Sequence, residues 1–582
     1  MNVSEYIAEF LFSIGIKHLF TVPGGGSIFL NDSILSQGKI KLIANHHEQA
    51  SALCAEGYSR IRNDISACLV TSGPGGTNAL TGVTCSYQDS VPVFFISGNV
   101  RTNLSTQYLN SKLRQLGDQE LNIIDLVKHI TKAAVQVDDP EKLPEILNHL
   151  YNTAISGRPG PVWLDVPLDI QRSVVSLKNV QFIKKENNKN LLSSKSENNI
   201  YNLLEKSKKP LIWAGYGIRL IKHVEQFRIL IEKYSLPTVT SFNAIDLLPS
   251  DHELNFGRPG ILGQIRANKI VQECDLLIVI GSRLYVRQIG YNKNSFAKNA
   301  KIIYCDVDNH ELNKNTIRTN LKIHTSADVF INTLNELLSQ LKGSFVDKKW
   351  IEQCQNISNN NPIYLPRHLD KHPLSSYCVI GMIGEKIPSD YNVVFSDGTA
   401  NVAGSQIFPI KDGMRVFSNK GTAPMGYGLP AAIGASFANE YGKILCIEGD
   451  GSIMLNIQEL QTVRYHNLPI KIVLLSNGGY NSIRITQKNL CDGRYSLINE
   501  STGISFPSFN KVAEAFEIKH TSVNTLSELT NAIEKMFVRN CPEIIEIFVD
   551  NKELHEPKIV TRTDDQGRFI SSDFGDIDWL SE

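Results

Sequence analysis

Short continuous apolar runs alternate with stretches of helical periodicity along most of this chain of 582 residues. Ile40 to Ala44, Lys443 to Glu448 and Ile470 to Leu475 have the length of strands buried on both faces, and Leu69 opens another strand that enters a helix through a glycine-rich turn. Between two of these runs, Asn456 to His466 carries Ile457, Leu460 and Val463 at helical spacing. Strands that alternate with helices predict an α/β fold built on parallel sheets. Two polar stretches, 184–199 and 355–362, read as linkers. They predict three parallel-sheet α/β domains at 1–183, 200–345 and 363–550, followed by a tail at 551–582. No short-period repeat is visible; a fold shared by the first and third parts without sequence similarity stays open. The tail is rich in Asp and has little periodicity, so an ordered lid and a loose end both stay open.

The length supports this division, because one core does not grow to such a size. Lys plus Arg and Asp plus Glu number 59 each. Without a basic field, neither nucleic acid nor a membrane surface is an expected partner. The first ten residues carry acidic groups and no long apolar run, so no signal peptide is expected there. No segment has the apolar length of a membrane span. The ten cysteines form no Cys-x-x-Cys pair, and Cys68 and Cys446 fall in apolar runs. Reduced core thiols in a cytoplasmic protein are the expectation.

The candidate chemistry begins at Gly449-Asp450-Gly451-Ser452 and at Asn477, 27 residues beyond Asp450. Both groups stand where a predicted strand ends, the place where open parallel sheets bind ligands. An Asp, an Asn side chain and a nearby backbone carbonyl are hard oxygen donors suited to Mg²⁺ held with substrate phosphates. Glycines let a backbone approach a diphosphate closely. A second group is Asn45-His46-His47-Glu48-Gln49, a strand end running into a helix. His46 and His47 are adjacent, point apart and make a poor metal pair. A third is Ser72-Gly73-Pro74-Gly75-Gly76-Thr77-Asn78, which lacks the G-x-G-x-x-G fingerprint of dinucleotide loops and so argues against an NAD-dependent oxidoreductase. A fourth is Gly421-Thr422-Ala423-Pro424-Met425-Gly426-Tyr427-Gly428.

These four groups, with Tyr87-Gln88-Asp89-Ser90-Val91-Pro92 and Ser156 to Pro167, resemble the motifs of thiamin-diphosphate (ThDP) enzymes of the acetolactate synthase branch along nearly the whole chain. The resemblance implies a ThDP-dependent decarboxylase or carboligase fold with pyrimidine-binding, middle and diphosphate-binding domains in that order. It places Asp450, Asn477 and the carbonyl of Gly479 on Mg²⁺. It makes Glu48 the carboxylate beside the aminopyrimidine and Met425 the wedge that bends the cofactor. Gly25, His47, Gly76, Gln119, Gly398, Thr399, Ala400, Ala423, Gly449, Gly451, Ser452, Tyr480 and Ser482 carry over as further cofactor contacts. In that branch the cofactor bridges two subunits, so a homodimer or homotetramer with interfacial sites is implied. The middle domain there binds FAD. Gly215, Gly217, Arg283, Arg287 and Asp306 match its positions, while the two acidic residues between the arginines are missing, so FAD and an empty scaffold both stay open.

The departures lie near the expected acceptor side. The family segments GQV, DAFQE and GQH read Gly98-Asn99-Val100, Gln115 to Glu120 and Gly398-Thr399-Ala400. Thr486 stands where biosynthetic acetolactate synthases place a Trp against the second ketoacid, and losing that wall makes room for a larger or more polar acceptor. The stretch around Ser482 to Gln487 resembles a small group that transfers a two-carbon acyl unit to a keto group of a nucleotide-linked sugar. Arg484 is then either a sugar-phosphate contact or a surface arginine. The expected activity is decarboxylation of a 2-ketoacid, pyruvate by resemblance, and transfer to a carbonyl acceptor such as that keto-sugar. The alternatives are an acetolactate synthase joining two 2-ketoacids, a simple decarboxylase, and an inactive assembly partner.

Overall fold

The computed structural model describes residues 1–176, 191–369, 371–563 and 565–580. Three all-parallel sheets follow one another along the chain. The first contains β1 (His18–Thr21), β2 (Lys41–Ala44), β3 (Ser66–Val70), β4 (Val93–Asn99), β5 (Ala133–Gln136) and β6 (Val162–Pro167), in the order β2-β1-β3-β4-β6-β5. The middle sheet contains β7 (Pro210–Ala214), β8 (Thr238–Thr240), β9 (Leu276–Ile280), β10 (Lys301–Asp306) and β11 (Leu321–His324), in the order β11-β10-β9-β7-β8. The third contains β12 (Asn392–Phe395), β13 (Val416–Phe417), β14 (Ile444–Gly449), β15 (Ile470–Ser476), β16 (Lys519–Val523) and β17 (Glu543–Phe548), in the order β13-β12-β14-β15-β17-β16. Ranked within their own sheets, the strands of the first and third have the same order, so the two parts share a topology that their sequences do not advertise.

The central strands are buried at every position, as in β3, β9 and β15, because helices cover both faces. That burial explains why they read as unbroken apolar runs rather than as alternating ones. In the third sheet the strand order reverses between β12 and β14, and the turn at Gly398 and the Gly449-Asp450 pair leave those two strands at the same end. In the middle sheet the reversal lies between β7 and β9, where Gly215, Gly217 and Gly281 follow. Ligand sites of doubly wound sheets lie at such reversals.

The first and third parts share one core, in which Cys68 and Phe95 join the same cluster as Cys446 and Ile472. The helices Glu48–Arg62 and Gly428–Ala438 form the seam, with every residue from Ala50 to Arg60 and from Gly428 to Phe437 buried. Small residues make the approach so close that backbones touch. A Cβ on Gly57 would stand 2.3 Å from the Ala431 carbonyl oxygen, and one on Gly434 would stand 1.9 Å from that of Cys54.

Both polar stretches, expected as linkers, are partly helical where the structure describes them. Residues 184–190 lie outside the described residues, but Ser194–Lys206 is a helix that buries Ile200 and Leu204 in the middle core. The helix Lys348–Asn359 runs into the second stretch and takes up 355–359, because Trp350 and Cys354, one turn apart, fix its inner face. The tail is ordered. Strand β18 (Lys558–Ile559) pairs with β21 (Ile577–Asp578), and β19 (Thr561–Thr563) with β20 (Phe569–Ser571), both antiparallel. Ile559, Phe574 and Ile577 join the middle core, so a few apolar side chains tie down a segment of polar composition. All ten cysteines are free thiols, and no helix among the described residues is long and apolar enough to cross a membrane.

The helix seam generates a direct test. Gly434→Val is expected to cost at least about 1–3 kcal/mol through overpacking, read as an earlier urea midpoint. An unchanged midpoint would mean that the two helices separate without penalty.

Candidate active site

The end of the third sheet gathers the first candidate groups. Asp450 Oδ1 accepts a hydrogen bond from Gly451 N at 2.8 Å, and Oδ2 accepts from Asn477 N at 2.9 Å and Gly478 N at 2.7 Å. Asn477 Oδ1 accepts from Gly479 N at 3.1 Å. Burial pushes the Asp450 carboxyl up to about 6, against the pull of these N–H donors. A carboxylate whose burial opposes its charge, with an amide oxygen beside it, fits a hard divalent cation and its bound phosphates. Among the described residues no group of three or more His, Cys, Asp or Glu is arranged to hold a metal; the donor set here is one carboxylate, one amide and a backbone carbonyl. A Cβ on Gly449 or Gly478 would meet nothing within 4 Å, and one on Gly398 would meet only Ser482 Oγ at 3.9 Å. Gly398, at φ +88°, leads into the helix Thr399–Ile407, whose first N–H groups are free to receive an anion.

Several positions carried over by resemblance are also close-packed within the chain. Gly451 lies under the Tyr480 ring, where a Cβ would come within 2.2 Å of it. Ser452 Oγ is held between Ser396 Oγ at 2.9 Å and Gly426 N at 2.9 Å. Ala400 points into the core. Gly76 lets Ile123 approach, with only 2.9 Å left for a Cβ.

The loop from Asn419 to Met425 is clamped onto the first part of the chain. Asp89 Oδ2 accepts from Lys420 N at 2.8 Å and Oδ1 from Gly421 N at 2.9 Å. Asn419 Oδ1 accepts from Thr422 N at 3.0 Å and Ala423 N at 3.2 Å, while Nδ2 donates to Glu56 Oε1 at 3.2 Å. Arg60, without solvent contact, joins Glu56 Oε1 at 2.6 Å to Asp89 Oδ2 at 2.7 Å. Tyr427 OH donates to Glu56 Oε2 at 2.6 Å. The clamp leaves Ala423 in a left-handed conformation, at φ +50°, and Met425 36% exposed. An apolar side chain held out of the core on a strained loop suits a wedge under a ligand.

The first sheet carries the other half. Glu48 begins its helix, and Asn78 Nδ2 donates to its Oε2 at 3.0 Å, so the second and third sequence groups meet. His47 is the N-cap, with Nδ1 accepting from Gln49 N at 3.1 Å. Glu459, which the sequence did not single out, grips the start of this helix by accepting from His46 N at 2.9 Å and Asn45 Nδ2 at 2.8 Å. Gln119 is left-handed at φ +59°, and its carbonyl lies 2.8 Å from where a Gly73 Cβ would stand. Gly25 faces open space. Among the described residues no hydrogen bond or ion pair joins Glu48, Asn78 or Gln119 to Asp450 or Asn477 within this chain.

A cavity of about 1090 Å³ lies between the first and middle parts, lined among others by Tyr216, Gly217, Phe242, Arg283 and Asp306. Burial pushes the Asp306 carboxyl up to about 6. Gly215 and Arg287 are not on its wall. Gly215 is covered by Gly281, whose carbonyl oxygen leaves 2.1 Å for a Cβ, and the Arg287 side chain is exposed. Arg283 finds in Glu311, at 3.0 Å, the acidic partner missing from its own segment. Lys420 also lines the cavity, and its ammonium donates to Asn401 and Ser405. Burial, with Arg287 adding to it, pushes Lys420 down to about 7. A lone lysine in a glycine-rich loop gave no sequence signal of this.

Of the residues expected on the acceptor side, Thr486 is exposed and donates to Ser482 O at 2.9 Å. Arg484 is half-buried and bonded to Asn481 Oδ1, so it is not a free surface arginine.

A doubly wound sheet that ends in the buried Asp450 beside Asn477, with a first sheet of the same strand order that leads into the Glu48 helix, defines a protein whose sheet ends suit a diphosphate cofactor. Residues 1–124, 198–337 and 397–547 match the thiamine pyrophosphate enzyme N-terminal TPP binding, central and C-terminal TPP binding domains. The chain belongs to the thiamine pyrophosphate enzyme family. It is 30% identical over 565 residues to the acetolactate synthase large subunit of Lactococcus lactis, covering 96% of this chain and 94% of that protein. It is 29% identical over 561 residues to the acetolactate synthase isozyme 1 large subunit of Escherichia coli, covering 96% and 95%. A probable acetolactate synthase large subunit of Methanocaldococcus jannaschii is 29% identical over 570 residues, covering 95% and 93%. The protein is therefore an acetolactate synthase-like ThDP enzyme at distant identity.

The clamp can be broken at one residue. Asp89→Ala leaves Arg60 with one carboxylate and two loop N–H groups without a partner, and is expected to cost about 3–5 kcal/mol in chemical denaturation. A loss below about 1 kcal/mol would assign the cluster no more weight than a surface pair.

Proposed function

We propose that this protein is a ThDP- and Mg²⁺-dependent carboligase that decarboxylates a 2-ketoacid, with pyruvate as donor, and joins the two-carbon unit to a second carbonyl compound. The carrying observation is the pinned, buried Asp450 carboxylate beside Asn477, in open space left by Gly449 and Gly478. When bound, ThDP would act as the electron sink for decarboxylation. The chain's own residues would do the rest. Asp450, Asn477 and the Gly479 carbonyl would hold the metal, and the start of the Thr399 helix would receive the diphosphate. Glu48, oriented by Asn78, would hold or release a proton at the aminopyrimidine. On the resemblance, we assign the working site to two copies, one contributing Glu48 and the other the metal group. Glu48→Gln is expected to lower turnover more than about a hundredfold with ThDP binding retained, and Asp450→Ala to abolish Mg²⁺-dependent ThDP binding in calorimetry.

Relatives named acetolactate synthase along the full length support two 2-ketoacids as substrates, ahead of the sugar acceptor read first from the Thr486 region. One observation favours the second reading: Thr486, where the resemblance places a Trp, is small and exposed. Mass spectrometry after incubation with ThDP, Mg²⁺ and pyruvate, with and without a nucleotide-linked keto-sugar, separates them. Acetolactate from pyruvate alone is the expected product. A sugar heavier by one acetyl-equivalent with little acetolactate would reverse the order, and free acetaldehyde alone would make this a simple decarboxylase. For the middle cavity we favour FAD over an empty scaffold, given its size and an Asp at the end of β10, where doubly wound sheets meet a ribose. A flavin band in the visible spectrum of the purified protein checks this.

A further inference from the structure

Thr399 opens its helix directly after Gly398, and its hydroxyl oxygen has two neighbours. Asn481 Nδ2 lies 3.4 Å away and His555 Nε2 lies 3.1 Å away. The orientation of the Asn481 amide is fixed by other partners. Its Oδ1 receives the Arg484 guanidinium, which can only donate, and its Nδ2 donates to the Glu553 carbonyl at 3.0 Å. Asn481 is therefore a donor toward Thr399. A hydroxyl has one hydrogen and two lone pairs, so one lone pair and the hydrogen remain. His555 is 8% exposed. Burial, with Lys558 and Arg287 adding to it, holds its imidazole neutral, with the pKa down to about 4. The ring therefore carries a single N–H, and its position decides what Thr399 can offer.

We propose that His555 is a positioning residue for the diphosphate: its Nε2–H fills the second lone pair of Thr399 Oγ1 and turns the Thr399 hydrogen outward as a donor. This rests on the ThDP reading. Charge chemistry favours this tautomer when the site is filled, because a hydroxyl hydrogen aimed at an anion is a charge-assisted donor beside the first N–H groups of the helix. In the opposite tautomer the hydroxyl would give its hydrogen to the imidazole and offer the anion none. His555 also answers a departure in the sequence. The related segment reads GQH, whereas here Gly398 is followed by Thr399 and by Ala400, whose side chain is in the core. An imidazole arrives instead from the segment that follows β17.

The test is calorimetric titration of ThDP with Mg²⁺ into the full chain. His555→Leu and Thr399→Val are each expected to weaken ThDP roughly tenfold, and the double variant to be no weaker than Thr399→Val. His555→Gln, which keeps a donor, is expected to bind within about threefold of the parent. The melting temperature of the cofactor-free protein reports folding for every variant. Wild-type or tighter affinity in His555→Leu overturns the proposal. If that variant does not fold, Thr399→Ser against Thr399→Val decides, and equal binding by the two overturns it. A parent protein that does not bind ThDP overturns the cofactor reading itself, a result distinct from the loss of His555 alone.

Discussion

The buried tie between Glu56, Arg60 and Asp89 is the constraint on which the rest of the site depends. Two carboxylates and one guanidinium sit in a place where an unpaired charge would be costly, so the three must stay together. Their remaining lone pairs are filled by the backbone of Lys420 and Gly421, by Asn419 and by Tyr427, all from the third part of the chain. A charge cluster that belongs to the first part thus fixes the loop that presents Met425. Such a network weighs more in specifying one arrangement than in net stability, because its gain in Coulomb energy is largely offset by desolvation.

That constraint works with the close helix seam. Contact between Gly57 and Ala431, and between Gly434 and Cys54, leaves no room for the first and third parts to slide. With the parts locked, the ends of their sheets are fixed relative to each other. The middle cavity is drawn into the same arrangement, because Arg283 and Arg158 both donate to the Gln88 carbonyl, one residue before Asp89. Residues 88–90 therefore line the cavity and hold the Met425 loop at the same time.

The fold class was legible because buried parallel strands must be apolar at every position, which gives unbroken runs such as Ile444 to Ile447. The Asp450–Asn477 contact was legible because β14 and β15 are neighbours, so a strand-helix-strand spacing brings their ends together. The shared topology of the first and third sheets was hidden, since strand order is set by packing rather than by any local pattern. The second polar stretch misled, and the tail stayed undecided, because composition averages over residues. Trp350 and Cys354 order one segment, and Phe574 with Ile577 orders the other. At Gly76 and Gly451 a neighbour fills the space a side chain would need, and Ala400 turns its methyl into the core, a matter of side-chain direction that a motif does not carry.

The two clearest departures from the family pattern have the same physical form. The segment from Arg283 to Arg287 lacks acidic residues, yet Glu311 supplies a carboxylate to Arg283 from the helix after β10. The turn at Gly398 lacks a histidine, yet His555 reaches the hydroxyl that follows. In both cases a chemical group missing from one stretch of sequence is present in space, delivered by a segment far along the chain. What a site requires is a donor or a charge at a place, and a folded chain can meet that requirement from any element that ends there. A motif that departs from its pattern at such a place is weak evidence of lost function until the neighbours in space have been counted.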